Sequence, residues 1–336
     1  DKMAEVAGPP QKHIKELAFM GFIEVVANLR KIFKNFSLCK EQVEAFAPDV
    51  LFLIDYPGFN LRMAKWAKSK NIKVVYYISP KVWAWKENRV KKIKAFVDRM
   101  MVIFPFEIDF YKKHGMSVDF VGNPLLDEVQ KFRRSAPSQE EFLLKNGLNN
   151  KKIIALLPGS RTQEVKVKLP LMLEACSKFE DYQVLIGGAP TLSEAFYKEV
   201  IGDKEAHVLY DQTYALLNAS AAALVTSGTA TLETALFEVP QVVCYKGNPI
   251  SYHIAKRLIK ISYISLVNLV MDEEVVRELI QHECNAELML KELQKILPEG
   301  NQREKMSLKY KELINKLGNE GASEKAAQIL IEELKS

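Results

Sequence analysis

Cysteine is scarce in this sequence, and what there is stands isolated. Cys39, Cys176, Cys244 and Cys284 form no Cys-x-x-Cys pair, so neither a disulfide frame nor a zinc site is indicated. All four read as reduced thiols of a cytosolic protein. The five histidines (13, 114, 207, 253, 282) share no metal spacing and make no nucleophile arrangement. No Asp-x-Asp motif is present to hold a metal–diphosphate pair, which argues for chemistry without a metal, and no cofactor motif stands out. No apolar run approaches the ~20 residues of a membrane span, and neither a secretory signal nor a low-complexity tract is visible. Charge of one sign is also lacking. A net +5 admits phosphorylated ligands or an anionic membrane surface but is too weak to argue for nucleic acid.

What is present is a soluble, globular composition, 48% hydrophobic over 336 residues, which suits two domains better than one core. From Pro48 onward strands and helices alternate. DVLFLID (49–55) reads as a buried strand, followed by a YPGFN turn (56–60) and a helix from Leu61 to Ser69. Further strands are expected at Lys73–Ile78, Met100–Ile103 and 117–122. Residues 124–150 change character, with one helix at Gln139–Lys145, and read as the crossing between domains. The second half predicts strands at 153–157, 182–187, 207–210, 222–227 and 241–245, with helices near 163–179, 191–201, 212–219 and 229–237. Beyond Pro249 the pattern is mostly helical, ending in three charged amphipathic helices from about Asn285 to Ser336. Alternation of this kind implies parallel sheets covered on both faces. The expected fold is α/β, two Rossmann-like domains facing a cleft, with a helical C-terminus. Ligands of such sheets bind beyond the carboxyl ends of the strands, where Asp55, Ser79 and Gly122 fall.

Two stretches suit an anion. In IIALLPGSR (153–161) a buried strand breaks at Pro158-Gly159, and Ser160 and Arg161 stand where a helix should start. Free backbone N–H groups and the helix dipole favour negative charge there, and the arginine fork fits phosphate oxygens. SGTATLE (227–233) repeats the device: Ser227, Gly228 and Thr229 suit a helix cap with backbone donors, and Glu233 lies where it could accept from sugar hydroxyls. Each alone reads equally as an ordinary strand–helix turn; two in one half-sheet point to a nucleotide diphosphate. Asp55 is the base candidate, since burial at the end of an apolar strand would raise its pKa; a structural aspartate in the turn is the competing reading. Trp83 and Trp85 read as stacking or core aromatics. In Phe19–Phe36, Phe22, Val25, Val26, Leu29, Ile32 and Phe33 follow helical spacing beside Arg30, Lys31 and Lys34. That pattern fits a core-facing helix or one lying in a membrane interface.

Taken together, PDVLFLIDYPGFN (48–60), YYISPKVWAWKENRVKKIK (76–94), FPFE (104–107), VGNPLLDEV (121–129), LLPGSRTQEV (156–165), SGTATLE and SYISLVNLV (262–270) resemble the lipid-A-disaccharide synthases, along with ELAFMGFIEV (16–25). The likeness runs in order along nearly the whole chain. Two departures stand out. The family's opening strand and GExSGD-type glycine loop have no counterpart before Asp1, so the first domain is expected to lack that unit. Gly58 replaces an acidic residue found in some members, so that position is not required.

The resemblance implies a GT-B fold and transfer of 2,3-diacylglucosamine from its UDP form to 2,3-diacylglucosamine 1-phosphate. It implies an acceptor- and membrane-facing domain at 1–145, a UDP-sugar domain at 150–312, and a C-terminal helix at 313–336 that packs back on the first domain. Asp55 and Arg161 would be catalytic, and Gly159, Ser160, Ser227, Gly228, Thr229, Glu233 and Asn268 would hold the donor. No metal or other cofactor is implied. The partners would be the two lipid substrates and the inner face of the bacterial inner membrane; a homodimer is compatible with it. Acylated substrates favour the membrane reading of Phe19–Phe36. The rivals are another UDP-sugar enzyme, such as an epimerase or the peptidoglycan glucosaminyltransferase, and a non-catalytic UDP-sugar-binding membrane protein.

Overall fold

The alternating pattern forms two parallel sheets in the computed structural model, which describes residues 8–10, 28–248, 252 and 261–335. The first sheet carries β1 (Val50–Ile54), β2 (Lys73–Tyr77), β3 (Arg99–Val102) and β4 (Asp119–Phe120) in the order 1-2-3-4. The second carries β5 (Lys152–Leu157), β6 (Tyr182–Gly188), β7 (His207–Tyr210), β8 (Ser220–Thr226), β9 (Gln241–Tyr245) and β10 (Glu278–Ile280) in the order 10-9-8-5-6-7. By chain contacts the molecule divides into two compact units. One is formed by Asp1–Pro80, Lys91–Met100 and Leu330–Ser336, the other by Lys81–Val90 and Met101–Ile329.

The five consecutive apolar residues of β5, Ile153 to Leu157, are all buried, as a strand covered on both faces requires. Helices follow in turn: α1 (Leu29–Phe46), α2 (Pro57–Ser69), α3 (Val90–Phe96), α4 (Phe106–Lys113), α5 (Pro124–Arg133), α6 (Gln139–Lys145), α7 (Thr162–Cys176), α8 (Glu194–Ile201), α9 (Thr213–Asn218), α10 (Thr229–Leu236), α11 (Leu266–Met271), α12 (Ala286–Ile296), α13 (Arg303–Leu317) and α14 (Ala322–Lys335). α6 matches its expected span because Ser138 and Glu141 close a reciprocal cap, Glu141 N to Ser138 Oγ at 3.2 Å and Ser138 N to Glu141 Oε2 at 2.8 Å.

Four expectations change. The YPGFN segment is not a loop: α2 begins at Pro57, whose fixed φ and missing N–H suit the first helical position. The stretch 124–150 holds two helices, because Asn123 Oδ1 accepts from Leu125 N at 3.0 Å and caps α5, with Pro124 again at its start. β10 is a strand within the stretch expected to be helical. Phe22, Val25 and Val26 lie outside the described residues, while the helix that begins at Leu29 continues past Phe36 to Phe46.

α1 has a packed face and an exposed face. Phe36 meets Phe59 of α2 edge-on at 5.6 Å between ring centroids, and Lys40 lies over Phe36. Ile32 is half-buried, whereas Phe33 is 57% exposed. Among the described residues no helix is long and apolar enough to cross a membrane. Near the other end of the chain, Glu333 of α14 pairs with Arg99 at 3.0 Å and Lys73 at 3.5 Å. Replacing Glu333 by alanine should cost about 1 kcal/mol or less, since these groups are partly solvated. Hydrogen exchange should quicken in the last turn of α14 while β5 and β8 keep their protection; unchanged exchange there would show that the pair anchors nothing.

Candidate active site

At the end of β1 the chain turns through two consecutive left-handed residues, Asp55 and Tyr56, both at φ 45°. This conformation is costly for residues with a Cβ, at roughly 1 kcal/mol or more each. Three groups hold it. Asn60, buried in the first turn of α2, donates to the carbonyls of Ile54 (3.0 Å) and Asp55 (2.8 Å). The hydroxyl of buried Tyr76 donates to the Asp55 carbonyl at 2.5 Å, and Asp55 N donates to Tyr77 O at 2.9 Å. The Asp55 side chain is exposed, so the desolvation expected for it is absent: the turn carries it out of the apolar strand. Ser79 is buried and its hydroxyl turns back to the Pro80 carbonyl at 3.0 Å.

In the second sheet β5 lies between β6 and β8, with Leu157 opposite Val225. The order reverses here, β6 and β7 leading one way and β8, β9 and β10 the other, so β5 and β8 flank a topological switch point. The two predicted anion loops leave the carboxyl ends of these adjacent strands. In the first, Gly159 sits at φ 116°, and a Cβ there would fall 2.4 Å from Glu164 Oε2. Only glycine allows that carboxylate to lie against the loop. Ser160 follows, its carbonyl accepting from Thr191 Oγ1 at 3.4 Å. Arg161, at the N-cap of α7, is exposed and pairs with Glu164 Oε1 at 3.2 Å.

In the second loop Gly228 takes φ 153°, ψ −160°, a region almost reserved for glycine, and opens α10. The side-chain cap expected from Ser227 and Thr229 does not form. The Ser227 hydroxyl donates instead to the Ile264 carbonyl at 3.0 Å, tying this loop to the 262–270 segment. That segment is held by a carboxylate that sequence reasoning missed. Glu278, buried on β10, accepts from Ile264 N (2.9 Å), Ser265 N (2.8 Å) and Asn268 Nδ2 (3.0 Å).

Asn268 is 0% exposed; Nδ2 also donates to Val276 O, and Oδ1 accepts from Val275 N and Val276 N at 2.9 and 3.0 Å. Its amide is thus fully paired inside the protein, where it supports the loop. Glu233, half-buried in α10, accepts from Tyr214 Oη at 3.0 Å, and burial pushes its carboxyl pKa up, partly opposed by that bond. Trp83 is held by Phe106 (4.9 Å, edge-on) and donates to buried Glu107 at 3.2 Å, whereas Trp85 is exposed under Lys86.

Lys168 was also overlooked. One turn beyond Glu164, it is buried and donates to Thr226 Oγ1 at the end of β8. Its place between buried Val165 and Leu169 was the available signal. A cavity of about 540 Å³ lined by Asn149, Lys151, Gln183 and His207 opens at the amino ends of β5, β6 and β7, the edge opposite these loops.

With this geometry in hand, comparison with known proteins is informative. The chain matches the family model of lipid-A-disaccharide synthetase over residues 2–332. Proteins named lipid-A-disaccharide synthase are similar throughout. That of Geobacter metallireducens is 40% identical over 326 residues, covering 95% of this chain and 84% of its own. That of Syntrophus aciditrophicus is 40% identical over 328 residues, covering 95% and 85%. Among solved structures, the Staphylococcus aureus MnaA–UDP co-structure superposes with a TM-score of 0.64 at 12% identity, over 88% of this chain and 78% of that one. The UDP-GlcNAc 2-epimerase of Neisseria meningitidis bound to UDP-GlcNAc gives 0.58 at 13%, over 95% and 83%. At such identities the likeness is one of fold, and the fold is GT-B.

The position of Glu233 makes a pH prediction. Its carboxyl holds a proton to higher pH when folded than when unfolded, so ionising it weakens the folded state as pH rises through the raised value. Glu233→Gln keeps an acceptor for Tyr214 but carries no charge. The Tm of the variant relative to wild type should therefore rise as pH increases above the ordinary glutamate value of about 4.3. A difference that stays constant with pH would show that the carboxylate is not desolvated.

Proposed function

The chain belongs to the lipid-A-disaccharide synthase family, and we propose on that basis that Asp55 and the two loops at the switch point divide the chemistry of one glycosyl transfer. The enzyme joins UDP-2,3-diacylglucosamine to 2,3-diacylglucosamine 1-phosphate, giving the β-1,6-linked disaccharide 1-phosphate and UDP. The epimerase and peptidoglycan alternatives fall away, because the match along residues 2–332 is to the synthase family while the epimerases share only the fold.

In the proposed mechanism the acceptor's 6-hydroxyl oxygen attacks the anomeric carbon as its proton passes to Asp55. The bond from that carbon to the diphosphate breaks in the same step, inverting the centre, and UDP leaves with the electron pair. Arg161 and the backbone donors of the loops at 159–161 and 227–229 answer the charge growing on the diphosphate. Glu233 accepts from the ribose hydroxyls, exchanging or sharing its bond with Tyr214. The half around 1–145 takes the lipid acceptor and that around 150–312 the UDP-sugar. The observation that carries this reading is the pairing of β5 with β8, which sets two glycine-opened helix starts side by side. The strained turn under Asp55 supports its role, since such strain persists where the surroundings over-determine it.

Asp55→Asn should lower turnover by about 10²–10⁴ while UDP still binds. Release of UDP from both lipids, with product mass, reads this directly. Full turnover in the variant would remove Asp55 from the base role, and release without acceptor would mean hydrolysis.

The site of action is the inner face of the bacterial inner membrane, with the enzyme held there peripherally. Phe33, exposed on α1 between Arg30 and Lys34, supports this, because an aromatic beside cations suits an anionic interface. Phe33→Ser should reduce partitioning onto anionic vesicles and leave Tm within a degree or two, the range of surface changes. A large fall in Tm would mark the residue as core.

A further inference from the structure

We propose that Lys168 is a positioning residue for the donor diphosphate, a buried cation that sets Thr226 and the following Ser227–Thr229 loop and adds positive charge behind it. The inference rests on the donor-site reading above and names a residue beyond those it uses. Lys168 lies on the core-facing stripe of α7 with Val165, Leu169 and Met172 and is 2% exposed. Helical side chains lean toward the N-terminus, so its stem runs up this stripe and brings the ammonium to the carboxyl edge of the sheet. There it donates to Thr226 Oγ1, the last residue of β8. Among the described residues that is its hydrogen bond, although an ammonium carries three donors.

The groups facing it compensate it only in part. Glu164, the strongest of them, favours the ammonium from the first turn of α7 but is already paired with Arg161, which weakly opposes it. Cys244 of β9 and Cys284 beyond β10 face it from the sheet and also favour its charged form. Both are buried thiols, hydrogen-bonded to each other. A tie between α7 and β8 alone would not need a charge. Glutamine or methionine would fill the same space without desolvating an ammonium, and burying an incompletely answered charge is among the costlier choices a core can make. A diphosphate seated on the loops at 159–161 and 227–229 would answer it. Burial lowers the ammonium pKa, and a neighbouring anion would raise it again.

The test is calorimetric titration of UDP into the full chain at about pH 8, above the titration of phosphate and below that of the uracil N3–H, in two buffers of different ionisation enthalpy. Wild type should take up a fraction of a proton on binding. Lys168→Met should bind UDP at least roughly tenfold more weakly without that uptake, while its Tm without UDP stays level or rises. Lys168→Gln, which keeps a donor for Thr226, should be no better. Recovery of wild-type affinity by the glutamine variant, or wild-type affinity in the methionine variant, would overturn the inference and leave the donor site intact. If neither variant folds, wild-type proton uptake decides: its absence overturns the role. Failure of wild type to bind UDP at all would instead sink the donor-site reading.

Discussion

The parallel pairing of β5 with β8 is the constraint from which the carboxyl edge of the second sheet takes its form. Both strands end at one edge, and neighbouring strands are only about 4.8 Å apart, so whatever follows them must share a small volume. Each is followed by a glycine in a conformation other residues avoid, and a helix starts within a few residues of each. The dipoles and free N–H groups of α7 and α10 thus converge without a dedicated binding domain. The opposite edge has a cavity too, but no such convergence of helix starts is built there.

Around the second loop of this edge a set of buried polar groups is paired. Glu278 gathers three N–H donors, Asn268 spends its whole amide, and Ser227 reaches Ile264, so the second loop is fastened to the segment beside it. Partnered polar groups in a dry interior fix one geometry, because each alternative leaves a donor or acceptor bare. The same reasoning applies at Asp55, where Asn60 and Tyr76 turn two strained residues into a single stable turn. Preorganisation here is a matter of buried side-chain amides and hydroxyls, and the groups that face the ligand can remain exposed.

The strands of the second sheet were legible because they are unbroken apolar runs, and the two loops because glycine followed each run. Other features were hidden for physical reasons. β10 offers only Glu278, Leu279 and Ile280, too short for a period to emerge. α5 was concealed by Arg133-Arg134 and the prolines around it, although Asn123-Pro124 spelled out its start. The burial expected of Asp55 assumed that the strand direction continues, and the left-handed turn breaks that assumption. Asn268 sits in a recognisable motif, yet its duty is inside the protein; motif membership reports that a residue matters, and only its hydrogen bonds say to what. Lys168 looks like a solvated lysine until the helix phase set by Val165 and Leu169 is counted.

The first compact unit is assembled from three separate pieces of chain, the last being Leu330–Ser336, and Glu333 meets Lys73 across 260 positions of sequence. A ribosome delivers residues in order, so β2 is made long before the helix that pairs with it. Until Glu333 is made, Lys73 and Arg99 cannot form their ion pairs with it. The second unit contains one long unbroken run, Met101–Ile329, and meets most of its partners earlier in synthesis. The unit whose first strands emerge early is thus joined by a much later piece of chain, and a stop before Glu333 would leave Lys73 and Arg99 without that carboxylate.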